Sequence, residues 1–172
     1  MKYPALLGLT AAAFLAGCAT PLTKETDVQR FAEIIRVPRT DVQFISYCTF
    51  AETRGWDDHA VFTEGIVAVT SAGLHVLGGN LNNASSKREI VLSNQQISGI
   101  DLRHYGRGRQ LHLWSGDHIL VLEITANKAF VDQAGSEQVF QMFRTRGIPQ
   151  KKSDHYFKGS VPPILFVPIP LK

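Results

Sequence analysis

Apolar residues recur at Val28, Phe31, Ile34 and Ile35, the spacing of one helical face, so a helix is predicted over Asp27–Arg36. Thr26 and Gln29 have capping-box spacing at its start, and Pro38 closes it. From Asp41 to Thr125 the period shortens to two. Seven strands are predicted there: Val42–Phe50, Glu64–Thr70, Leu74–Gly78, Lys87–Leu92, Ile97–Leu102, Arg109–Trp114 and His118–Ile124. Gln110 and His112 alternate with Leu111 and Leu113, the pattern of a strand with one wet face. The links carry Gly, Ser, Asn and Asp and are short, which implies an antiparallel meander. One more helix follows, with Ser136 as its expected N-cap and Val139, Phe140 and Phe143 as its apolar stripe. Gly147 is placed to take a left-handed turn at its end, and Pro149 prevents continuation. Lys151–Ser160 reads as a polar linker. The tail Val161–Leu171 is apolar but holds Pro162, Pro163, Pro168 and Pro170, so it is expected to lie extended along a groove or sheet edge.

The start of the chain has a different grammar. Met1-Lys2 is followed by an uncharged apolar run, Ala5–Ala16, too short to span a bilayer comfortably and laid out like a secretory signal. The run ends in Leu15-Ala16-Gly17-Cys18, which resembles the lipobox of bacterial lipoproteins. That resemblance implies cleavage before Cys18, acylation of its thiol and amino group, and a lipid anchor in the bacterial cell envelope. Ala19, where an aspartate would favour inner-membrane retention in that family, points to the outer membrane, facing the periplasm. The expected organisation is a signal peptide at 1–17, a lipidated tether at 18–25, one domain at 26–148 with the N-terminal helix, and a linker with the Pro-rich tail at 149–172. Once Cys18 is lipidated, Cys48 is left without a partner in the chain. It sits in a strand whose apolar parity predicts simple burial.

Composition adds exclusions. The chain is 44% hydrophobic and 19% charged, as in ordinary globular proteins rather than disordered or multispan chains. A formal net charge of +3 is too mild to imply a nucleic-acid partner.

Seven antiparallel strands followed by one amphipathic helix is the order of the pleckstrin-homology-like barrel, in which the helix plugs one open end. Gly65–Val76 is similar to the GRAM-type hairpin, and Ile90-Val91-Leu92 with Ile97–Ile100 is similar to the next strand pair. The resemblance, over about Ala60–Ile148, implies a mainly β fold with helices: a seven-stranded barrel closed by the C-terminal helix and preceded by a short N-terminal one. Family members mostly bind head groups, peptides or proteins. Their basic head-group loop is not carried over, because Thr53–Asp58 holds one arginine and two acids.

The densest basic cluster is Arg103, His104, Arg107 and Arg109, with Tyr105 among them. Guanidinium groups suit phosphate and carboxylate, so this cluster is the candidate surface for an anion or an acidic partner. Asp57-Asp58-His59 is the alternative, a hydrolytic or metal-dependent site, although no metal-ligand spacing accompanies it. His75, His104, His112 and His118 have the parity of surface histidines. No nucleophile elbow, Ser-x-x-Lys pair or Cys–His arrangement is present. The expected function is that of a non-catalytic binding module on a lipid anchor, needing no cofactor or metal, with the membrane and an envelope protein as partners. A structural role in an outer-membrane complex, docked through the tail, is the other reading.

Overall fold

The first helix, α1 (Glu25–Ile35), begins two residues before its predicted start, and Thr26 does not cap it. The amides of Asp27 and Val28 already donate to the Lys24 carbonyl, so Thr26 lies inside the first turn. Glu25 and Asp27 place negative charge at the positive end of the helix instead. At the other end Arg36 adopts the left-handed conformation (φ 58°, ψ 42°), and Val37 N–H reaches back to the Ala32 carbonyl at 3.0 Å. The structure, a computed structural model, describes residues 22, 24–55, 59–79, 88–126, 130–153 and 155–159, with only the backbone of His59 and Gly159.

All seven predicted strands form. They are β1 (Val42–Arg54), β3 (Thr63–Thr70), β4 (Gly73–Gly78), β5 (Glu89–Ser93), β6 (Gly99–Tyr105), β7 (Gly108–Ser115) and β8 (His118–Thr125). A two-residue β2 (His59–Ala60) pairs in parallel with β9 (Lys158–Gly159) apart from the main sheet. The sheet order is β5-β4-β3-β1-β8-β7-β6, and every pairing in it is antiparallel. Two three-strand meanders are therefore present, as the short links require, but β1 joins them. It pairs with β3 along Val42–Phe50 and with β8 along Tyr47–Arg54. The predicted end of β1 at Phe50 marks where the first partner stops; the second carries the strand on to Arg54.

One face of all seven strands feeds a single apolar cluster. It runs from Cys48 and Phe50 on β1 to Ile90 on one edge strand and Ile100 on the other, and includes Val139, Phe140 and Phe143 of the second helix. The sheet thus curls around a common core, although β5 and β6 at its edges do not pair with each other. The second helix, α2 (Gln133–Thr145), packs on β6, β7 and β8. It starts three residues before Ser136: Asp132 is the N-cap and its carboxylate accepts from Gly135 N–H at 2.9 Å. Ser136 is buried within the first turn, donating to the Asp132 carbonyl. Gly147 does take the left-handed turn (φ 83°), with Ile148 N–H returning to the Phe143 carbonyl.

Two further clusters cover the outer face of the sheet. Phe31, Ala32 and Ile35 of α1 pack on Ile66, Ala68 and Leu77. At the opposite end, Trp114, Ile119 and Val121 pack with Ala51, Ala60 and Phe157. Phe157 belongs to the stretch expected to be a polar linker. That stretch is instead a strap: Ile100 N–H donates to the Pro149 carbonyl, Lys151 N–H donates to the Ile100 carbonyl, and the chain then crosses to β2. Ser153 and Phe157 are fully buried beneath it. The face carrying Gln110 and His112 is consequently not wet. Both side chains are 0% exposed, which overturns the surface placement of His112. His75 is buried as well, on the outer side of β4 opposite Ala68.

Candidate functional site

The basic cluster occupies the β6–β7 hairpin, and strand register divides it. Arg103 stands opposite Gln110, whereas His104 stands opposite Arg109, so neighbouring pairs lie on opposite faces of the ribbon. Arg109 turns toward α2. Its Nη1 donates to the carbonyls of Gly106 (3.2 Å) and Gly108 (2.9 Å), and its Nη2 to Gln133 Oε1. Gln133 Nε2 in turn donates to the Arg107 carbonyl, tying the hairpin tip to the start of the helix. Arg103 lies on the other face, where its buried Nε has no hydrogen-bond partner. Tyr105 is 69% exposed and packs its ring on Tyr156 of the strap at 5.2 Å. What the hairpin offers outward is His104, Tyr105 and Arg107, with Arg109 committed to the Gly106 and Gly108 carbonyls and to Gln133.

Beneath the strap lies a polar network absent from the sequence expectations. His112 Nδ1 is 2.9 Å from Ser153 Oγ, and its Nε2 is 3.3 Å from Gln110 Oε1. Gln110 clasps the strap backbone twice: Phe157 N–H donates to its Oε1 at 3.0 Å, and its Nε2 donates to the Phe157 carbonyl at 2.8 Å. Asp101 accepts from Ser153 N–H (2.8 Å) and from Gln150 Nε2 (3.2 Å). Tyr156 Oη donates to Glu123 Oε1 at 2.9 Å, and burial with the adjacent carboxylate pushes its phenol up. Burial also lowers the His112 pKa to about 4, with Asp101 opposing and Arg103 and His155 reinforcing the shift.

A serine, a histidine and an aspartate meet here, but not as a relay. Both ring nitrogens of His112 face Ser153 and Gln110, and Asp101 bonds to the strap instead of the ring. Ser153 is 0% exposed, leaving no approach for a substrate carbonyl. The network is a clasp. Tyr156-Phe157, two adjacent aromatic residues in an otherwise polar stretch, are the sequence signal for it.

A cleft of about 460 Å³ opens elsewhere, between α1, the start of β1 and the start of α2. Leu22, Val28, Phe44 and Ala134 supply apolar wall, and Arg39, Gln43, Ser46 and Gln138 supply polar rim. Its size falls in the range of small-ligand sites. Arg39 is held at that rim by a two-pronged pair with Glu25, both contacts 2.7 Å, which lowers the Glu25 carboxyl. Gln43 Oε1 accepts from Arg146, and Ser46 Oγ donates to the Thr125 carbonyl, so these groups are already placed by the fold.

Cys48 is 2% exposed and burial pushes its thiol up, as expected of a packed cysteine. Cys18, Asp57, Asp58 and the tail Val161–Leu171 lie outside the described residues, and of His59 only the backbone is described. Among the described residues no three His, Cys, Asp or Glu side chains converge as metal ligands. No helix of the described residues is long and apolar enough to cross a membrane. No family model matches the chain, and no curated protein is significantly similar to it.

Proposed function

We propose that this chain is a lipid-anchored protein of the bacterial envelope whose domain, a pleckstrin-homology-like barrel, works as a non-catalytic binding module. The anchor reading rests on Leu15-Ala16-Gly17-Cys18 at the end of an apolar run. The observation that carries the module reading is connectivity. Two three-strand meanders share β1, and an amphipathic helix follows the last strand onto the same core. That is the order of the pleckstrin-homology-like domains, whose members mostly bind. The cleft beside α1 and the hairpin tip with Arg107 are the two surfaces on which such binding would fall. Through Cys18 the domain would be held at the outer membrane, where an envelope protein is the natural partner. Two or more acyl chains make such attachment stable.

Metabolic labelling with palmitate, followed by in-cell crosslinking and mass spectrometry, tests both halves. Label lost in Cys18→Ser supports the anchor. A discrete crosslinked partner lost on Arg107→Glu or on Ala134→Arg, the latter in the cleft wall, supports the module and identifies its surface. An unlabelled protein refutes the anchor. Labelled protein with only non-specific neighbours, unchanged in both variants, refutes the module.

A further inference from the structure

We propose that the strap, Gln150–Ser153 with His155–Phe157, is an acid-released latch: it closes over β6 and β7 on a neutral His112 and lifts when that ring is protonated. The strap is built to move separately from the sheet. None of the ladder pairings that order the seven strands involves it. Its attachments include a short parallel contact at the β6 edge, the side-chain clasps of Asp101, Gln110, His112 and Glu123, the buried Phe157 ring, Lys151 on Ser98 and Trp114, Tyr156 on Tyr105, and the β2–β9 pair into which it runs.

The clasp fixes the form of the ring. Gln110 uses its amide N–H groups on Glu123 (2.8 Å) and on the Phe157 carbonyl, so its Oε1 is an acceptor. His112 Nε2 therefore carries a hydrogen toward that oxygen, and in the neutral ring Nδ1 accepts from the Ser153 hydroxyl. A second proton on Nδ1 would turn the hydroxyl toward the His155 carbonyl, 3.1 Å away. Hydrogen bonds could then be kept, but a full charge would be sealed at a site with no exposure. Burial opposes that charge first, and the charged groups around it divide. Arg103 on β6 and His155 on the strap oppose it. Asp101 favours it, yet is already engaged by the Ser153 amide and Gln150. Glu123 on β8 is engaged by Tyr156 and Gln110. Trp114 and Phe157 present their rings. Lifting the strap returns the ring to water and removes the penalty.

The size follows from linkage. With the closed ring held to about 4 and the open ring at its ordinary 6.5, the open-to-closed ratio rises roughly 20-fold between about pH 7 and pH 5. The outer-face residues Trp114, Ile119 and Val121 would be uncovered as it does so.

Hydrogen exchange on the full chain in detergent, corrected for the intrinsic pH dependence of exchange, tests this. The expected result is a loss of strap protection of about tenfold or more from pH 7 to pH 5, with β1, β3 and β8 unchanged, and a flat profile in His112→Gln. Strap protection that ignores pH, falls equally in His112→Gln, or falls together with the sheet overturns the proposal. Should that variant not fold, the ring titration of His112 by NMR in the native chain decides. Opening must follow the His112 titration, and a ring that titrates near 6.5 with the strap still protected overturns the latch.

Discussion

Ser153 Oγ lies 2.9 Å from Nδ1 of His112, joining residues 41 positions apart and fixing a loop crossing to the middle of a strand. Neither side chain has solvent access. The pair makes the C-terminal strap a part of the domain core, and the stability of the whole chain should feel its titration.

The sign of that effect is set by the histidine. A folded-state pKa below the unfolded value means that the unfolded chain binds more protons as pH falls through 6.5. Stability is therefore full above about pH 6.5 and declines toward the folded value of about 4. His75, lowered by burial despite the Glu89 carboxylate 3.9 Å away, acts in the same direction. The ceiling from His112 is about 3 kcal/mol, and less where the strap opens first. Denaturant titrations at several pH values should show this decline, reduced in His112→Gln.

Gly65 is a second pressure point. A Cβ there would stand 2.4 Å from the Leu77 carbonyl oxygen and 2.9 Å from the Phe50 ring. Backbone on one side and a buried ring on the other leave no room to give. Gly65→Ala should cost about 1–3 kcal/mol, the range for overpacked cores. Thermal unfolding would check this, with Gly116→Ala as the contrast: its Cβ meets nothing within 4 Å, and only its positive φ of 63° resists.

Asp132 is the cap that the sequence reading assigned to Ser136. Asp132→Ala should lower stability by about 1 kcal/mol, while Asp132→Asn, which can still accept from Gly135 N–H, should lose much less. Chemical denaturation resolves the two.

Phe157 separates strap from sheet. Phe157→Ala leaves a large hole beneath the strap, and the expected loss is about 3–5 kcal/mol for a ring that is 1% exposed. Hydrogen exchange should place the loss first at residues 149–159 and only later in β3 and β4.

The strands and both helices were legible because each carries its period in its own residues, as Leu111 and Leu113 do against Gln110 and His112. What covers a face is not written in that face. Gln110 and His112 have the pattern of a wet surface, and only the distant Ser153 and Phe157 make it dry. The same holds for the caps. Thr26 and Ser136 have suitable chemistry, but Lys24 and Asp132 hold the carbonyls from which the helices start. Arg103 and Arg109 are six apart and read as one cluster, yet the hairpin register puts them on opposite faces. Local text specifies elements; pairing partners and covering segments are settled by contacts tens of residues away.

The sharing of β1 has a consequence for how the chain can be divided. A break in the link after Ser93 would give one piece holding β1, β3, β4 and β5, and another holding β6, β7, β8 and α2. The first piece keeps β1 but leaves Tyr47–Arg54 as an open hydrogen-bonding edge; the second lacks the strand against which β8 must lie. Neither is self-sufficient, and each supplies what the other is missing. The two halves are natural complements, suited to reconstitution from separately expressed fragments, with β1 as the piece for which the second half must wait.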